Sequence, residues 1–247
     1  MAMAKAANKT VARKSALKAP ARAKAPMARL QPLSQPSAPL RGKIIGALRS
    51  AIETGVLVPG ERLTEKDLCE QLAVSRTSLR EALRELQADG ILEYSGARTL
   101  VVSRISPEVA RNVYRIRAAL EAVAVEQFIE KATDAQMLEL KRQHESLRRA
   151  YRGGHLEDIL TVKRAFYDCI CAGANNAIAF DMINRLLLRT STLRRKSLSR
   201  KARHQQSIAE LDSLVEAIVT RNASRASAAA LKHVQNSALS ALGDAEA

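Results

Sequence analysis

The sequence predicts a mostly α-helical protein, in which an N-terminal winged helix-turn-helix of three helices and a β-hairpin is joined to an all-α C-terminal bundle. Three observations predict this class. Two short amphipathic helices separated by a tight turn lie within residues 64–87, two short apolar strands follow them, and almost everything after Ser106 has helical periodicity. A chain of 247 residues also has room for two domains.

Residues 1–39 are rich in Ala, Lys, Pro and Ser and are predicted to be disordered. Ten basic residues and no acid precede Ile44, so this end of the chain carries +10 of the net charge of +15. Such a tail would add sequence-independent contacts with phosphates and a steep salt dependence. A dispensable extension explains the composition equally well.

The first helix of the N-terminal domain is predicted just after the tail. Its apolar residues, which fall on one face, are Ile44, Ile45, Leu48 and Ile52. The helix is closed by Gly55 and followed by a turn at Pro59-Gly60.

The helix pair begins at Thr64, which forms a variant capping box with Asp67. Ser75 is a good N-cap for the second helix, whose leucines at positions 79, 83 and 86 form one buried stripe. Arg76 and Arg80 are one turn apart on its polar face, with Thr77 beside them. This pattern suits a recognition helix in a DNA major groove, and the alternative is a surface helix with solvated arginines.

The segment after the helix pair reads as strand, turn and strand over residues 91–94, 95–98 and 99–102. This hairpin is the expected wing. Residues 41–102 resemble the DNA-binding domain of the GntR regulator family through the stretch PGERLTEKDLCEQLAVSRTSLREALRELQADGIL. The resemblance implies that DNA is contacted by Lys66, Ser75, Arg76, Thr77, Arg80 and the wing residue Arg98.

Two positions depart from the family pattern. The family usually has Arg where Lys66 stands, so a bidentate contact becomes a point-charge contact. The usual wing glycine is replaced by Thr99.

The C-terminal part starts at Ser106-Pro107-Glu108, an N-cap followed by Pro and an acid in the first turn, and continues as six or so helices to residue 242. A winged helix followed by such a bundle resembles the FadR subfamily, whose C-terminal part is the FCD domain. The matching segments are residues 115–127, 165–178 and 217–234. The expected domains are therefore residues 40–103 and 107–242.

Many FCD relatives hold a metal through one Asp and three His residues, and the resemblance places Lys163, Tyr167, Leu211 and His233 at those positions. This set does not suit a transition metal, so we expect no metal and no other cofactor. Lys163 would instead hold a small anion, expected to be a carboxylate, with Tyr167, His233 and Arg117 donating hydrogen bonds. The alternative is that Lys163 pairs with Asp134 or Glu157, and that the pocket is packed shut or apolar.

Two further sets of polar residues have simpler interpretations. His144, His155 and His204 show no ligand spacing and are expected to face solvent. The acid-free basic run at residues 185–203 is expected to be a solvated loop and helix end, or else a second surface that contacts phosphates.

Several protein classes are excluded by the sequence. It has no apolar run of transmembrane length, three cysteines at no metal or redox spacing, and no nucleophile and base arrangement. These absences lead us to expect a non-enzymatic protein without a membrane partner, and the resemblance to bacterial regulators implies a cytoplasmic, nucleoid-associated location in a bacterium. Its expected function is that of a homodimeric transcriptional regulator, a repressor on family grounds, that binds an inverted-repeat DNA operator and a small effector. The rival function is constitutive, effector-independent DNA binding by an architectural protein.

Overall fold

The computed structural model of the protein describes residues 40–96 and 99–243. The predicted tail and Arg98 lie outside these residues. The N-terminal part consists of helices α1 (Leu40–Glu53), α2 (Glu65–Leu72) and α3 (Arg76–Ala88) and an antiparallel hairpin of β1 (Leu92–Ser95) and β2 (Thr99–Val102). This is the predicted order of helices and strands.

Side-chain caps fix the angle between α2 and α3. The Thr64 hydroxyl accepts a hydrogen bond from the Asp67 amide, and the Ser75 hydroxyl accepts one from the Ser78 amide. Between them Ala73 has a left-handed conformation with φ of 52°, which ends α2 within one residue. The leucine stripes of both helices are buried together, so the outer face of α3 is left free for a partner.

The C-terminal part is an all-α bundle, so the predicted fold class is confirmed. Over the described residues it has seven helices: α4 (Pro107–Lys131), α5 (Asp134–Gly153), α6 (Leu156–Gly173), α7 (Ala177–Arg189), α8 (Ser191–Leu198), α9 (Lys201–Val219) and α10 (Ala223–Leu242). A Cβ on Gly173 would collide with the ring of Phe128, so this glycine allows α6 to pack closely against α4. Among the described helices, none is long and apolar enough to cross a lipid bilayer.

Helix α8 was not predicted, and α9 begins six residues before the predicted start at Ser207. The loop in the expected solvated loop and helix end is therefore wrong, because most of this run is helical. No side-chain hydrogen bond caps the start of either helix, and α8 is rich in polar and basic residues, so local start signals and apolar periodicity are both missing. Packing of Leu193 and Leu198 against the bundle stabilises α8 instead.

Arginines of the same run join the two parts of the molecule. Arg185 of α7 forms an ion pair at 3.0 Å with Asp89, the C-cap of α3, and Leu188 of α7 belongs to the apolar core of the winged domain. Arg195 of α8 donates a hydrogen bond to the Glu53 carbonyl at the end of α1. These residues are interdomain contacts, and the alternative of a second phosphate-contacting surface is not supported for them.

Candidate functional site

The residues predicted to contact DNA lie on the first turns of α2 and α3. Lys66, Ser75, Arg76, Thr77 and Arg80 are all exposed. Exposure is expected for these residues because the buried leucine stripe faces the opposite side of α3. Helix α3 therefore presents hydroxyl and guanidinium donors together near its N-terminus, the end that enters a major groove in helix-turn-helix proteins.

Arg80 is held by an acid of the neighbouring helix. Its Nε donates hydrogen bonds to both carboxylate oxygens of Glu65, at 3.0 and 2.9 Å. Both side chains are partly exposed, at 58% for Arg80 and 39% for Glu65. The ion pair is therefore weak, and a phosphate or a base can compete with it.

A cleft of about 510 Å³ lies between α3 and the hairpin. Arg62, Arg84 and Tyr94, which were not predicted to contact DNA, line this cleft together with Arg80. Arg84 could have been found from the sequence, because Arg76, Arg80 and Arg84 recur every four residues along the exposed face of α3. Tyr94 sits on β1 with 63% of its surface exposed, and no pattern in the sequence marked it.

The four predicted effector residues meet in one cavity inside the bundle. Arg117 comes from α4, Lys163 and Tyr167 from α6, and His233 from α10, and Arg194 of α8 completes the wall. The cavity volume is about 20 Å³, enough for one water molecule. Any larger ligand must therefore displace part of the wall.

Lys163 and His233 form a buried polar chain that ends at Glu210. The Nζ of Lys163 lies 3.0 Å from Nε2 of His233, and Nδ1 of His233 lies 2.6 Å from a Glu210 oxygen. Burial, together with the nearby charge of Lys163, lowers the pKa of His233 to about 3. The imidazole is therefore neutral, with Nδ1 donating to Glu210 and Nε2 accepting from Lys163.

The surroundings of Lys163 disfavour its charged form. Burial lowers its pKa well below the ordinary value, and the charges of Arg194, Arg203 and Arg117 lower it further. An anion in the cavity would oppose every one of these charge effects.

Glu210 is the centre of a network that the sequence did not reveal. It accepts hydrogen bonds from Arg203 at 2.9 and 2.7 Å, from Asn236 at 2.7 Å and from His233. Burial opposes ionisation of Glu210, yet the hydrogen bonds from His233 and Arg203 outweigh it and lower its pKa to about 2. Glu210 is therefore a fixed negative charge that orients His233.

On the opposite wall, Arg117 and Glu121 are almost fully buried. Arg117 Nε lies 2.9 Å from a Glu121 oxygen, and the guanidinium stacks 4.6 Å from the centre of the Tyr114 ring. In the part of the chain that the structure describes, five of the seven buried side-chain atoms without a hydrogen-bond partner belong to these three residues. Two of these five atoms, Arg117 Nε and Glu121 Oε1, face each other in the ion pair, and the other three leave hydrogen-bonding capacity in the wall, which favours occupation by a polar guest.

One alternative and part of one expectation about neighbouring polar residues are wrong. Lys163 does not pair with Asp134 or Glu157, because those exposed acids bind Arg221 and Arg195. His144 and His204 do not face solvent. His144 is buried between α5 and α9, where its Nε2 lies 2.7 Å from Asp212, and the buried His204 donates to the Leu198 carbonyl. His155 is exposed as expected.

Comparison with known proteins matches both parts of the chain. Residues 40–102 match the gntR family of bacterial regulatory proteins, and residues 112–236 match the FCD domain. The chain belongs to the GntR family, in the group that carries an FCD domain. Members of this family are transcriptional regulators, which confirms the expectation of a non-enzymatic protein.

Relatives within the GntR family support this assignment. The transcriptional regulator McbR of Escherichia coli K12 is 34% identical over 142 residues, which is 58% of this chain but less than two thirds (64%) of that protein. The E. coli repressor RspR is 24% identical over 200 residues, or 81% of this chain and 88% of that one. The solved structure of E. coli McbR superposes with a TM-score of 0.72 at 27% identity, covering 81% of this chain and 95% of that one.

The metal that many FCD domains hold does not fit the residues present in this GntR protein. The Nζ of Lys163 lies 3.0 Å from the ring nitrogen of His233 that would have to bind the metal. Leu211, at the position of a second ligand, is fully buried in the apolar core. Within residues 40–96 and 99–243, no three His, Cys, Asp or Glu residues are grouped to hold an ion.

The Arg80–Glu65 pair yields the first prediction. Changing Glu65 to Gln removes an acid that both holds Arg80 and repels phosphates, so DNA affinity is expected to rise about threefold at low salt. Fluorescence anisotropy with a labelled duplex measures this change. Glu70→Gln is the matched control, since it neutralises another exposed acid of α2. A fall in affinity for Glu65→Gln would mean that the acid positions Arg80 for DNA rather than competing with it.

Proposed function

We propose that this protein is a cytoplasmic, nucleoid-associated repressor that binds an inverted-repeat DNA operator as a homodimer and responds to a small anion in its FCD domain. The observation that carries the DNA-binding part is the exposed row of Ser75, Arg76, Thr77 and Arg80 on the first turns of α3. Repression is proposed because the relative RspR is named a repressor. The two working domains are residues 40–103 and 107–242.

Exposed apolar residues on two neighbouring helices favour a second copy of the chain as partner. Helix α4 exposes Val109, Ile116 and Val123, seven residues apart and so on one face, and α7 exposes Ile178 and Met182. These helices pack side by side in the bundle. Two recognition helices are also needed for useful specificity, since one reads only a few base pairs, and two-fold symmetry then implies an inverted repeat.

The dimer is testable by placing a charge in this surface. Ile178, with 74% of its surface exposed, can be changed to Asp without disturbing the monomer fold. We expect a monomer in sedimentation velocity and a fall of about 100-fold or more in operator affinity, because a second half-site no longer contributes. Leu138→Asp, on a 51% exposed residue of α5, should leave both properties unchanged. A wild-type monomer, or a variant that still dimerises, would contradict the proposal.

The anionic effector is supported by the charges around the cavity. Arg117, Lys163 and Arg194 outnumber the single acid, Glu121, among the charged residues that line it. Burial and the like charge of Arg117 lower the pKa of Arg194. A carboxylate would accept hydrogen bonds from these donors and relieve their repulsion.

One observation favours a second candidate function. A cavity of about 20 Å³ has no room for an organic acid as it stands, which suits a constitutive DNA-binding protein whose pocket is closed. Purification of bound sequences from random duplexes distinguishes the two. A regulator should select an inverted repeat and prefer it to random DNA by about a thousandfold at physiological salt. An architectural protein would bind both about equally.

The effector is tested separately by melting the protein with a panel of small carboxylates and sugar acids. A ligand that binds only the folded state raises the melting temperature. Lys163→Met should abolish the rise for any acid that binds in the cavity.

A further inference from the structure

We propose that α8 couples the bundle cavity to the winged domain. Arg194 senses charge in the cavity, and its neighbour Arg195 is the positioning residue that holds the winged domain in place. The inference rests on the proposed effector site, and it adds the part of the chain that transmits the signal. Helix α8 is only eight residues long and follows α7 after the single residue Thr190.

One face of α8 forms a wall of the cavity. Arg194, Ser197 and Leu198 line it, and their spacing of three and four residues places them on the same side of the helix. The Arg194 guanidinium faces the like charge of Arg117 across the cavity, and burial together with this charge lowers its pKa. Glu53 and Glu121 offset part of the repulsion between the two arginines, and an anion bound between them would convert the remainder into attraction.

The next residue of α8 contacts the winged domain. Arg195 Nη1 donates to the Glu53 carbonyl at 3.4 Å, and the guanidinium binds the Glu157 carboxylate of α6 at 2.7 and 3.1 Å. Its Nε lies 3.1 Å from the point that a Cβ on Gly55 would occupy. Gly55 has φ of +75°, so the turn after α1 both requires glycine and leaves the room that Arg195 fills.

Adjacent residues of one short helix cannot move independently, because backbone hydrogen bonds fix their relative orientation. The cavity has a volume of about 20 Å³, so a ligand of several heavy atoms must displace a wall. Helix α8 is the shortest helix of the described bundle. When a bound anion attracts Arg194, helix α8 rotates or shifts. Arg195 then loses its contacts with the Glu53 carbonyl and the Gly55 turn. The winged domain thereby loses one of its contacts with the bundle, and its placement on the bundle shifts.

The test uses a carboxylate placed in the cavity by mutation in the full-length chain, so no effector needs to be known. Arg194→Glu converts the repulsion with Arg117 into attraction. The readout is hydrogen exchange of the amides of Thr54, Gly55 and Leu57, which bond to α1 carbonyls in the turn against which Arg195 lies. Six proteins are compared: wild type, Arg194→Glu, Arg195→Gln, Lys196→Gln, and Arg194→Glu combined with each of the last two. Lys196 is the matched control because it is exposed on the same helix.

Arg194→Glu is expected to accelerate exchange in this turn about fivefold or more. Arg195→Gln alone should also accelerate it, and adding Arg194→Glu to that variant should change it by less than about twofold. Arg194→Glu should accelerate exchange as much in the Lys196→Gln background as in the wild-type background. The proposal is overturned if Arg194→Glu has no effect in the wild-type background, or has the same effect with and without Arg195.

If Arg194→Glu does not fold, Arg194→Gln replaces it. Glutamine removes the repulsion without adding a charge, so the same pattern is expected at smaller size. The readout contains neither DNA nor effector. Failure of the coupling is therefore a separate result from failure of the proposed regulator function, which the selection of bound duplexes decides.

Discussion

Replacement of Glu210 by alanine is expected to lower the free energy of unfolding by about 3–5 kcal/mol, the range for removing one partner of a buried ion pair. Arg203 is 3% exposed and makes two hydrogen bonds to Glu210, so the substitution leaves a buried guanidinium without its counter-charge. His233 and Asn236 lose their acceptor as well. Urea denaturation followed by circular dichroism measures the change.

A matched control lies on the same helix. Glu216 of α9 also binds an arginine through both oxygens, at 3.2 and 3.1 Å to Arg225, but that pair is more than half exposed. Solvent screens such a pair, so Glu216→Ala should cost less than about 1 kcal/mol. Equal losses for the two variants would show that the Glu210 network does not stabilise the bundle.

The same network sets the stability of the protein in acid. The pKa of Glu210 is lowered from 4.5 to about 2, so its stabilising contribution is present above about pH 5 and is lost as the pH falls through 2. The pKa of His233 is lowered from 6.5 to about 3. Between these pH values His233 is protonated in the unfolded chain but neutral in the folded protein. Both effects have the same sign. Stability should fall steadily from pH 7 to pH 3, and Glu210→Ala should flatten the lower part of that decline.

The second large effect is expected at the DNA interface. Changing Arg76 and Arg80 together to alanine should lower operator affinity about 30-fold or more, since each well-placed arginine contact with a base pair contributes about 1–3 kcal/mol. Both side chains are exposed, so the melting temperature should change little. Anisotropy titrations at several salt concentrations measure the affinity together with its salt slope, which should become shallower by up to about 2 if phosphates are contacted.

The control for this experiment removes the same charge elsewhere. Arg142 and Arg225 are exposed arginines on α5 and α10. Changing both to alanine should alter operator affinity by less than about twofold, because charges beyond about 10 Å are screened at ordinary salt. If the two double variants weaken binding equally, net charge and not the α3 surface governs DNA binding.

The winged domain was predictable because its signals are local. Thr64 and Ser75 cap helices within three residues of themselves, and the leucines of α2 and α3 repeat at helical spacing. Such patterns act within one or two helical turns, so they can be recognised in the sequence before the rest of the fold is known. Helix α8 lacked both kinds of signal and was missed.

The cavity was predicted only in outline. Resemblance placed Lys163 and His233 at corresponding positions, but Glu210 and Arg203, which hold His233 neutral and oriented, had no motif to mark them. His144 was expected in solvent because nothing near it in sequence offers a partner. Its partner, Asp212, is 68 residues away along the chain and is supplied by the packing of α5 against α9.

The sequence by itself determined the two-part architecture and the exposed arginines of α3. Only the tertiary structure decided which buried charges meet, that the basic run at residues 185–203 includes the helix joining the cavity to the winged domain, and that Arg194 and Arg195 face different partners. The physical reason is range. Caps and periodicity act over a few residues, whereas a buried ion pair depends on helices that are far apart in the chain and become neighbours only when the apolar core packs.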